Sequence, residues 1–77
     1  MNVSNQIKKF RERDGYSQEF LAEKMFVSRQ TISNWENDKS YPDIHKLLIM
    51  CQLFKIYLDE LVEDDLKNVQ IKNIKKE

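Results

Sequence analysis

The sequence predicts an all-α fold, and its composition and residue patterning both support that prediction. Its 77 residues include one glycine and one proline, which leaves few residues for the tight turns of a sheet. No stretch alternates regularly between apolar and polar residues, as a half-buried strand does. Apolar residues recur at helical spacing instead, so we expect one compact domain of five helices. Its length corresponds to a free energy of unfolding of about 4 to 12 kcal/mol.

The composition also excludes several classes of protein. A single cysteine cannot form an internal disulfide and suits a reducing compartment. No segment resembles a signal peptide, and no apolar run approaches the roughly 18 residues of a membrane span, so we expect a cytoplasmic protein without membrane contact. With one histidine and one cysteine, and without a phosphate-binding glycine loop, we expect no enzyme, no catalytic residue, no metal site and no cofactor.

The charge distribution is uneven although the formal net charge is zero. Residues 1–55 hold nine basic and seven acidic residues, and residues 56–66 hold five acidic residues and no basic one. Residues 67–77 hold four lysines and one glutamate. The acidic charge is therefore concentrated in one block, and the remainder is mildly basic, which is weak support for a nucleic-acid partner.

The first two helices follow from apolar spacing and from their end signals. Helix 1 is predicted over residues 3–13, with Gly15 placed to end it in a left-handed conformation. Its exposed basic residues are expected to be solvated, with the exception of Arg11. Ser17 is placed to cap helix 2, whose first turn is acidic. The inward positions of the two helices are Val3, Ile7, Phe10, Leu21, Ala22 and Met25.

The stretch 28–37 carries two different faces on one predicted helix, helix 3. Ile32 and Trp35 lie three residues apart and form the stripe that the helix would bury. The opposite face consists of side chains that can contact base edges, since Arg pairs with guanine and Asn or Gln with adenine. The alternative interpretation is an ordinary polar surface. This face holds Arg29, Gln30, Ser33, Asn34 and Asn37.

Only Phe26 and Val27 separate helix 2 from the cap of helix 3, Ser28. This spacer is too short for two helices packed side by side, so the helices must cross steeply, as in a helix-turn-helix unit. Residues 17–37, SQEFLAEKMFVSRQTISNWEN, resemble the helix-turn-helix of the Cro and C1 phage repressors, the xenobiotic-response-element family. The matching residues at fixed spacing are Gln18, Ala22, Ile32, Trp35, Glu36 and Asn37.

The resemblance covers about residues 3–62, because SYPDI at 40–44 and LDEL at 58–61 also match the later part of that domain. It implies a five-helix, lambda-repressor-like DNA-binding domain over 1–62 and a C-terminal extension over 63–77. It also implies that helix 3 reads bases in the major groove through Arg29, Gln30, Ser33 and Asn34. The residues expected at DNA phosphates are Gln18, Arg11, Asn37, Lys39 and Tyr41.

Two of these phosphate contacts have a specific rationale. The amide of Gln18 would lie at the N-terminus of helix 2, where a phosphate is favoured, and would anchor the protein without specifying a sequence. In similar proteins an arginine at the position of Arg11 pairs with the acid at the position of Glu36. We therefore expect Arg11 to join helices 1 and 3 while facing a phosphate.

The sequence departs from the family pattern at four positions. Phe26 replaces the usual turn glycine, and a left-handed conformation there would cost about 1 to 2 kcal/mol. Phe20 replaces a residue that is more often polar, so it either covers the seam between helices 1 and 4 or contributes to a contact surface. Cys51 replaces an alanine and is expected to be a buried small apolar residue. Tyr57 replaces a capping serine before helix 5.

The last part of the chain is predicted to contain two further helices. Helix 4 follows Pro42, has Asp43 near its start, and carries an apolar stripe of Ile44, Leu47, Leu48, Cys51 and Phe54 that Met50 widens. Helix 5 is short and contributes Leu58, Leu61 and Val62. Beyond it, Leu66, Val69 and Ile74 either line a final helix, as a dimer contact or the start of a linker, or belong to a lysine-rich tail.

These features predict a regulator of transcription that binds double-stranded DNA sequence-specifically. We expect a repressor that binds a palindromic operator as a homodimer. The alternative is a protein-interaction or antitoxin-like module whose partner binds through Phe20 or the C-terminal extension. Salt dependence would distinguish the two, because phosphate contacts weaken steeply with salt and apolar contacts do not.

Overall fold

The computed structural model describes the backbone of residues 2–67 and the side chains of residues 3–62. The regular structure of this part is helical, as predicted. The helices are α1 Asn2–Arg13, α2 Gln18–Met25, α3 Arg29–Glu36, α4 Ile44–Phe54 and α5 Leu58–Lys67. The last helix therefore runs beyond Val62. Val69 and Ile74 of the predicted final stripe lie outside the described residues, and Leu66 is described only by its backbone, within α5.

A single apolar core joins all five helices. Burial follows the predicted spacing in α1, α2 and α3, because their inward residues recur every three or four positions and share one face. Trp35 is one of these core residues, which agrees with the prediction that Ile32 and Trp35 form the buried stripe of α3. The buried apolar residues are Val3, Ile7, Phe10, Leu21, Ala22, Met25, Ile32, Trp35, Leu47, Met50, Cys51, Phe54, Leu61 and Val62.

The first helix holds the two ends of the domain together. It packs against α5, where the Gln6 side-chain amide donates to the Glu60 carbonyl at 2.8 Å. It also packs against α3, and the buried Ser4 hydroxyl donates to a carboxylate oxygen of Asp38 at 3.4 Å, just after that helix. Because these bonds cross between helices, the position of α3 is fixed by α1 as well as by its partner α2.

The prediction for α4 was wrong on one side of the helix. Ile44 and Leu48 are 53% and 48% exposed, whereas Met50, expected only at the margin of the stripe, is fully buried. At 3.6 residues per turn the buried positions centre between Leu47 and Met50, which leaves Ile44 and Leu48 at the edge, one turn apart. The two exposed side chains form an apolar strip on the outside of α4. Asp43 is the N-cap of this helix, and its side chain accepts from the Lys46 amide.

Arg13 has a structural role that the sequence did not reveal. Its side chain is 47% exposed, in agreement with the predicted solvated face, and its guanidinium also donates to the Phe54 carbonyl at 2.7 Å and to both Asp14 carboxylate oxygens. The Phe54 carbonyl belongs to the last turn of α4, where a cation is favourable. Arg13 therefore satisfies the C-terminal end of α4 from the end of α1. Gly15 follows with φ +73°, in the predicted left-handed conformation.

Phe20, Phe26 and Cys51 are three of the four residues at which the sequence departs from the family pattern, and the structure shows the surroundings of each. Phe20 packs against Tyr16, with ring centroids 4.8 Å apart, and Tyr16 packs against Phe54 of α4. The three rings connect α2 to the end of α4 through the loop after α1, and Phe20 remains 37% exposed. Both predicted roles of Phe20 stay predictions. Phe26 has φ +60°, and the residue is 85% exposed. Cys51 is buried, and this burial raises the pKa of its thiol.

None of the helices in the described part of the chain is long and apolar enough to span a bilayer.

Candidate nucleic-acid interface

The two helices of the predicted helix-turn-helix begin with matching serine caps. The Ser17 hydroxyl accepts from the Phe20 amide at 2.9 Å, and the Ser28 hydroxyl accepts from the Thr31 amide at 3.1 Å. Each bond satisfies one of the backbone donors that a helix start leaves without an internal partner. The caps therefore fix where α2 and α3 begin, and both starts agree with the sequence prediction.

The third helix separates its two faces as the sequence predicts. Ile32 and Trp35 are buried, while Arg29 and Gln30 are exposed at the N-terminal end of the same helix. Ser33 and Asn34 lie on the outward side and are half-buried. The structure therefore brings the four predicted base-contacting residues together on one surface.

Hydrogen bonds along this outward surface preorganise its side chains in the absence of a ligand. The Gln30 amide nitrogen donates to the Asn34 side-chain oxygen at 3.0 Å, so these two amides are already oriented with respect to each other. The Asn37 amide donates to the Ser33 carbonyl at 2.9 Å and to the Ser33 hydroxyl at 3.2 Å. Such bonds reduce the side-chain entropy that a ligand would otherwise have to restrict.

The predicted ion pair between α1 and α3 forms in a bidentate geometry. Arg11 Nε donates to Glu36 Oε2 at 2.6 Å, and Nη2 donates to Oε1 at 3.1 Å. The remaining guanidinium nitrogen, Nη1, donates to the Tyr16 carbonyl at 2.9 Å. Hydrogen bonding to Glu36 raises the pKa of Arg11 above its usual value, against the opposing effect of burial. The side chain of Glu36 is only 3% exposed.

Gln18 connects this ion pair to the predicted base-contacting surface. Its amide nitrogen donates to Glu36 Oε1 at 3.0 Å, and its amide oxygen accepts from Arg29 Nη1 at 2.9 Å. A continuous chain of hydrogen bonds therefore runs from Arg11 through Glu36 and Gln18 to Arg29. The sequence pattern predicted separate roles for Gln18 and Arg29 and did not indicate the contact between them. The spacing of two short, steeply crossing helices was the only available signal.

The other residues predicted to contact DNA backbone follow directly after α3. Asn37, Lys39 and Tyr41 are all exposed. The loop has a defined conformation, since the Lys39 amide donates to the Asn34 carbonyl at 2.8 Å and Asp38 has φ +61°. The exposed side chains at both ends of α3 are therefore carried by fixed backbone.

A shallow groove lies beside this surface on α2. Its volume is about 670 Å³, and the residues that line it include Glu19, Glu23 and the partly exposed Phe20. This groove is compatible with the alternative prediction, in which a protein partner binds through Phe20. Among the residues whose side chains are described, no three His, Cys, Asp or Glu residues are grouped to hold a metal ion.

Comparison with known proteins gives consistent matches. The helix-turn-helix family HTH_3 matches residues 7–61. The HTH-type transcriptional activator BcrR of Enterococcus faecalis is 34% identical over 65 residues, which are 84% of this chain and 32% of BcrR. The HTH-type transcriptional regulator ImmR of Bacillus subtilis (strain 168) is 32% identical over 65 residues, which are 84% of this chain and 51% of ImmR. The chain thus spans about a third to a half of these relatives.

A solved structure agrees with the sequence matches. The crystal structure of SinR, the master regulator for biofilm formation, in complex with DNA has a TM-score of 0.72 to this chain and is 28% identical. The alignment covers 78% of this chain and 97% of the SinR chain. With the family match spanning α1 to α5 and the same all-helical architecture, the chain belongs to the Cro/C1-type helix-turn-helix family.

Proposed function

We propose that this chain is a cytoplasmic regulator of transcription that binds double-stranded DNA sequence-specifically by placing α3 in the major groove. In this proposal Arg29, Gln30, Ser33 and Asn34 contact base edges. The phosphate contacts are Gln18, Arg11, Asn37, Lys39 and Tyr41. In this proposal residues 1–62 provide the DNA-binding domain and residues 63–77 follow it, with the first of them continuing α5 to Lys67.

The observation that carries the proposal is the division of α3 into two faces. Its apolar residues Ile32 and Trp35 are buried in the core, while Arg29 and Gln30 are exposed and Ser33 and Asn34 are half-buried on the outward side. That face offers a guanidinium and two amides, the groups that form bidentate pairs with guanine and adenine in the major groove. The structure of SinR in complex with DNA supports DNA binding by this chain, because SinR shares this fold at 28% identity.

We further propose that the protein binds a palindromic operator as a homodimer. A symmetric dimer places its two recognition helices in successive major grooves, about 34 Å apart. The apolar strip of Ile44 and Leu48 supports an association of this kind, because exposed aliphatic side chains one turn apart gain from burial. Analytical ultracentrifugation with and without DNA gives the stoichiometry. Two chains on each DNA site are expected, and one chain on each site would contradict the dimer.

Repression is the regulatory outcome that we propose. A domain that occupies a promoter can exclude polymerase by occupancy alone, whereas activation requires an additional productive contact. A reporter gene placed behind the selected DNA site provides the test. Expression is expected to fall when the chain is produced, and a rise would assign activation instead.

Selection of bound duplexes from a random DNA pool tests the proposed function. We expect an enriched motif with two-fold symmetry, and binding to it that weakens steeply as salt rises, since phosphate contacts release counterions. Recovery of no motif would contradict the proposal. Salt-insensitive capture of a protein partner through the Phe20 groove would favour the interaction-module alternative.

A further inference from the structure

The shallow groove on α2 combines exposed carboxylates with apolar side chains. Glu19 and Glu23 lie four residues apart on α2, so their side chains leave the same side of the helix. Within residues 3–62 neither carboxylate forms a hydrogen bond or an ion pair. Phe20 and Val27 line the same groove, and they are 37% exposed and half-buried, respectively. The groove therefore suits a ligand that carries both ammonium and aliphatic groups.

One segment of the chain has the complementary composition. Residues 68–77, NVQIKNIKKE, hold three lysines, three aliphatic residues and one acid. They lie outside the described residues and follow α5, which packs against α1. The groove begins at Ser17, four residues beyond the end of α1. Ten residues can span about 33 Å, whereas the twelve residues of α1 span about 18 Å, so the segment is long enough to reach the groove.

We propose that residues 68–77 dock in this groove on the same chain. Their lysines pair with the two carboxylates, and their aliphatic side chains cover Phe20 and Val27. The Phe20 ring already accepts one ammonium group, since Lys24 Nζ lies 5.1 Å from its centroid. Because the segment is attached to α5, its effective concentration at the groove is high, and contacts that are individually weak suffice to hold it there.

The docked segment also competes with DNA. Arg29 lines the groove and is one of the residues proposed to contact bases. A segment that lies against Arg29 occupies space that the duplex needs at this end of α3. DNA therefore has to displace the segment, and this part of the inference rests on the proposed function.

Paramagnetic relaxation in nuclear magnetic resonance spectra tests the docking in the full chain. A nitroxide is attached through Glu77→Cys, which keeps all three lysines of the segment, and Cys51→Ala removes the only other thiol. A second preparation keeps Cys51, because its thiol is buried. Circular dichroism first shows that each variant is folded. The intensity of each backbone amide signal is then compared before and after the nitroxide is reduced.

We expect the strongest loss of signal at Phe20, Glu23 and Val27. In the Glu23→Gln variant the equilibrium constant for docking should be about two- to fivefold lower, as for loss of one exposed ion pair. Glu12→Gln is the matched control, because Glu12 is an exposed acid on α1 that does not line the groove. It should leave the pattern of signal loss unchanged.

Uniform signal loss, or loss centred on the acidic start of α5, would contradict docking in the groove. Loss that also appears in isotope-enriched protein without nitroxide, mixed with the labelled protein, would assign the contact to a second chain and contradict the intramolecular contact.

Adding the selected duplex to saturation should restore the groove signals. Signals that stay weak with the duplex bound would contradict the competition. A protein that binds no duplex would instead contradict the proposed function and leave the docking result unaffected.

Discussion

The junction between α2 and α3 and the junction between α4 and α5 have the same backbone design. In each, a helix ends in a left-handed residue, Phe26 (φ +60°, ψ +41°) or Lys55 (φ +59°, ψ +51°). The next residue, Val27 or Ile56, is half-buried against the core and donates its amide to a carbonyl five residues earlier, at 3.0 Å in both cases. One further residue precedes the second helix.

The helices that follow the two junctions, α3 and α5, begin with complementary halves of a capping box. A capping box combines a serine or threonine before the helix with an acid three residues later. Before α3, the Ser28 side chain caps the Thr31 amide, but the later acid is missing. Before α5, the Glu60 carboxylate accepts from the Tyr57 amide at 3.1 Å, but the residue before the helix is a 79% exposed tyrosine and not a serine or threonine.

The two junctions share the inward contacts that fold the domain and differ in the outward surface that would contact a ligand. Four residues after Ser28 and Tyr57 come Ile32 and Leu61, both completely buried. The inward sides of the two junctions therefore do the same structural work. The difference lies outside: α3 presents Arg29 and Gln30 to solvent, whereas α5 begins with the acidic residues Asp59 and Glu60. Only the first of these surfaces suits a polyanion.

The largest effect is expected from removing the inward anchors. Ile32→Ala and Leu61→Ala should each lower the free energy of unfolding by about 2 to 5 kcal/mol, because each leaves a cavity in the core. Urea unfolding followed by circular dichroism measures both. A cost below about 1 kcal/mol for one but not the other would break the equivalence of the two junctions.

Glycine at the two left-handed residues is expected to raise stability, by less than the core substitutions lower it. Phe26→Gly and Lys55→Gly should each raise the free energy of unfolding by about 1 kcal/mol, since glycine adopts positive φ without a Cβ clash. The exposed ring of Phe26 has little packing to lose. Thermal unfolding provides the measurement. A clear fall in melting temperature for Phe26→Gly would show that the ring packs usefully.

Completing the capping box before α5 should stabilise the domain by about 0.5 to 1 kcal/mol. Tyr57→Ser supplies the missing hydroxyl acceptor while Glu60 keeps its bond to the residue 57 amide. Tyr57→Ala is the matched control, since it removes the ring without adding an acceptor. Equal melting temperatures for the two variants would argue against a capping effect.

The smallest change in stability is expected when the capping box before α3 is completed. Thr31→Glu should add about 0.3 to 0.5 kcal/mol, because its carboxylate can accept from the Ser28 amide and lies at a helix N-terminus. The same charge stands beside the proposed DNA surface and should weaken DNA binding. Thr31→Gln, which is uncharged, controls for the shape of the side chain. Unchanged DNA affinity for Thr31→Glu would place the DNA away from this end of α3.

Much of this architecture could be predicted because it depends on local signals. Ser17 and Ser28 mark helix starts, Gly15 marks a helix end, and Ile32 with Trp35 defines the buried side of α3. The family pattern has a glycine at the position of Phe26, and this indicated where a left-handed turn could occur without predicting it for a phenylalanine. The matching conformation of Lys55 had no such signal, since a lysine ordinarily gives no indication of positive φ.

Contacts between distant residues were predicted less well. The pairing of Arg11 with Glu36 came from resemblance, but Arg13 capping α4 and Gln18 contacting Arg29 depend on how helices cross, which spacing does not determine. The exposure of Ile44 and Leu48 was missed for a related reason. An apolar stripe shows the side of a helix that is available for burial, whereas its neighbours determine how much of that side they cover.

Sequence reading by the outward face of α3 is tested by comparing Arg29→Ala with the wild-type protein on the selected duplex and on a scrambled duplex of equal length. We expect a loss of about 1 to 3 kcal/mol of binding free energy on the selected duplex and a much smaller loss on the scrambled one. Equal losses on both duplexes would contradict it, because Arg29 would then bind the backbone alone.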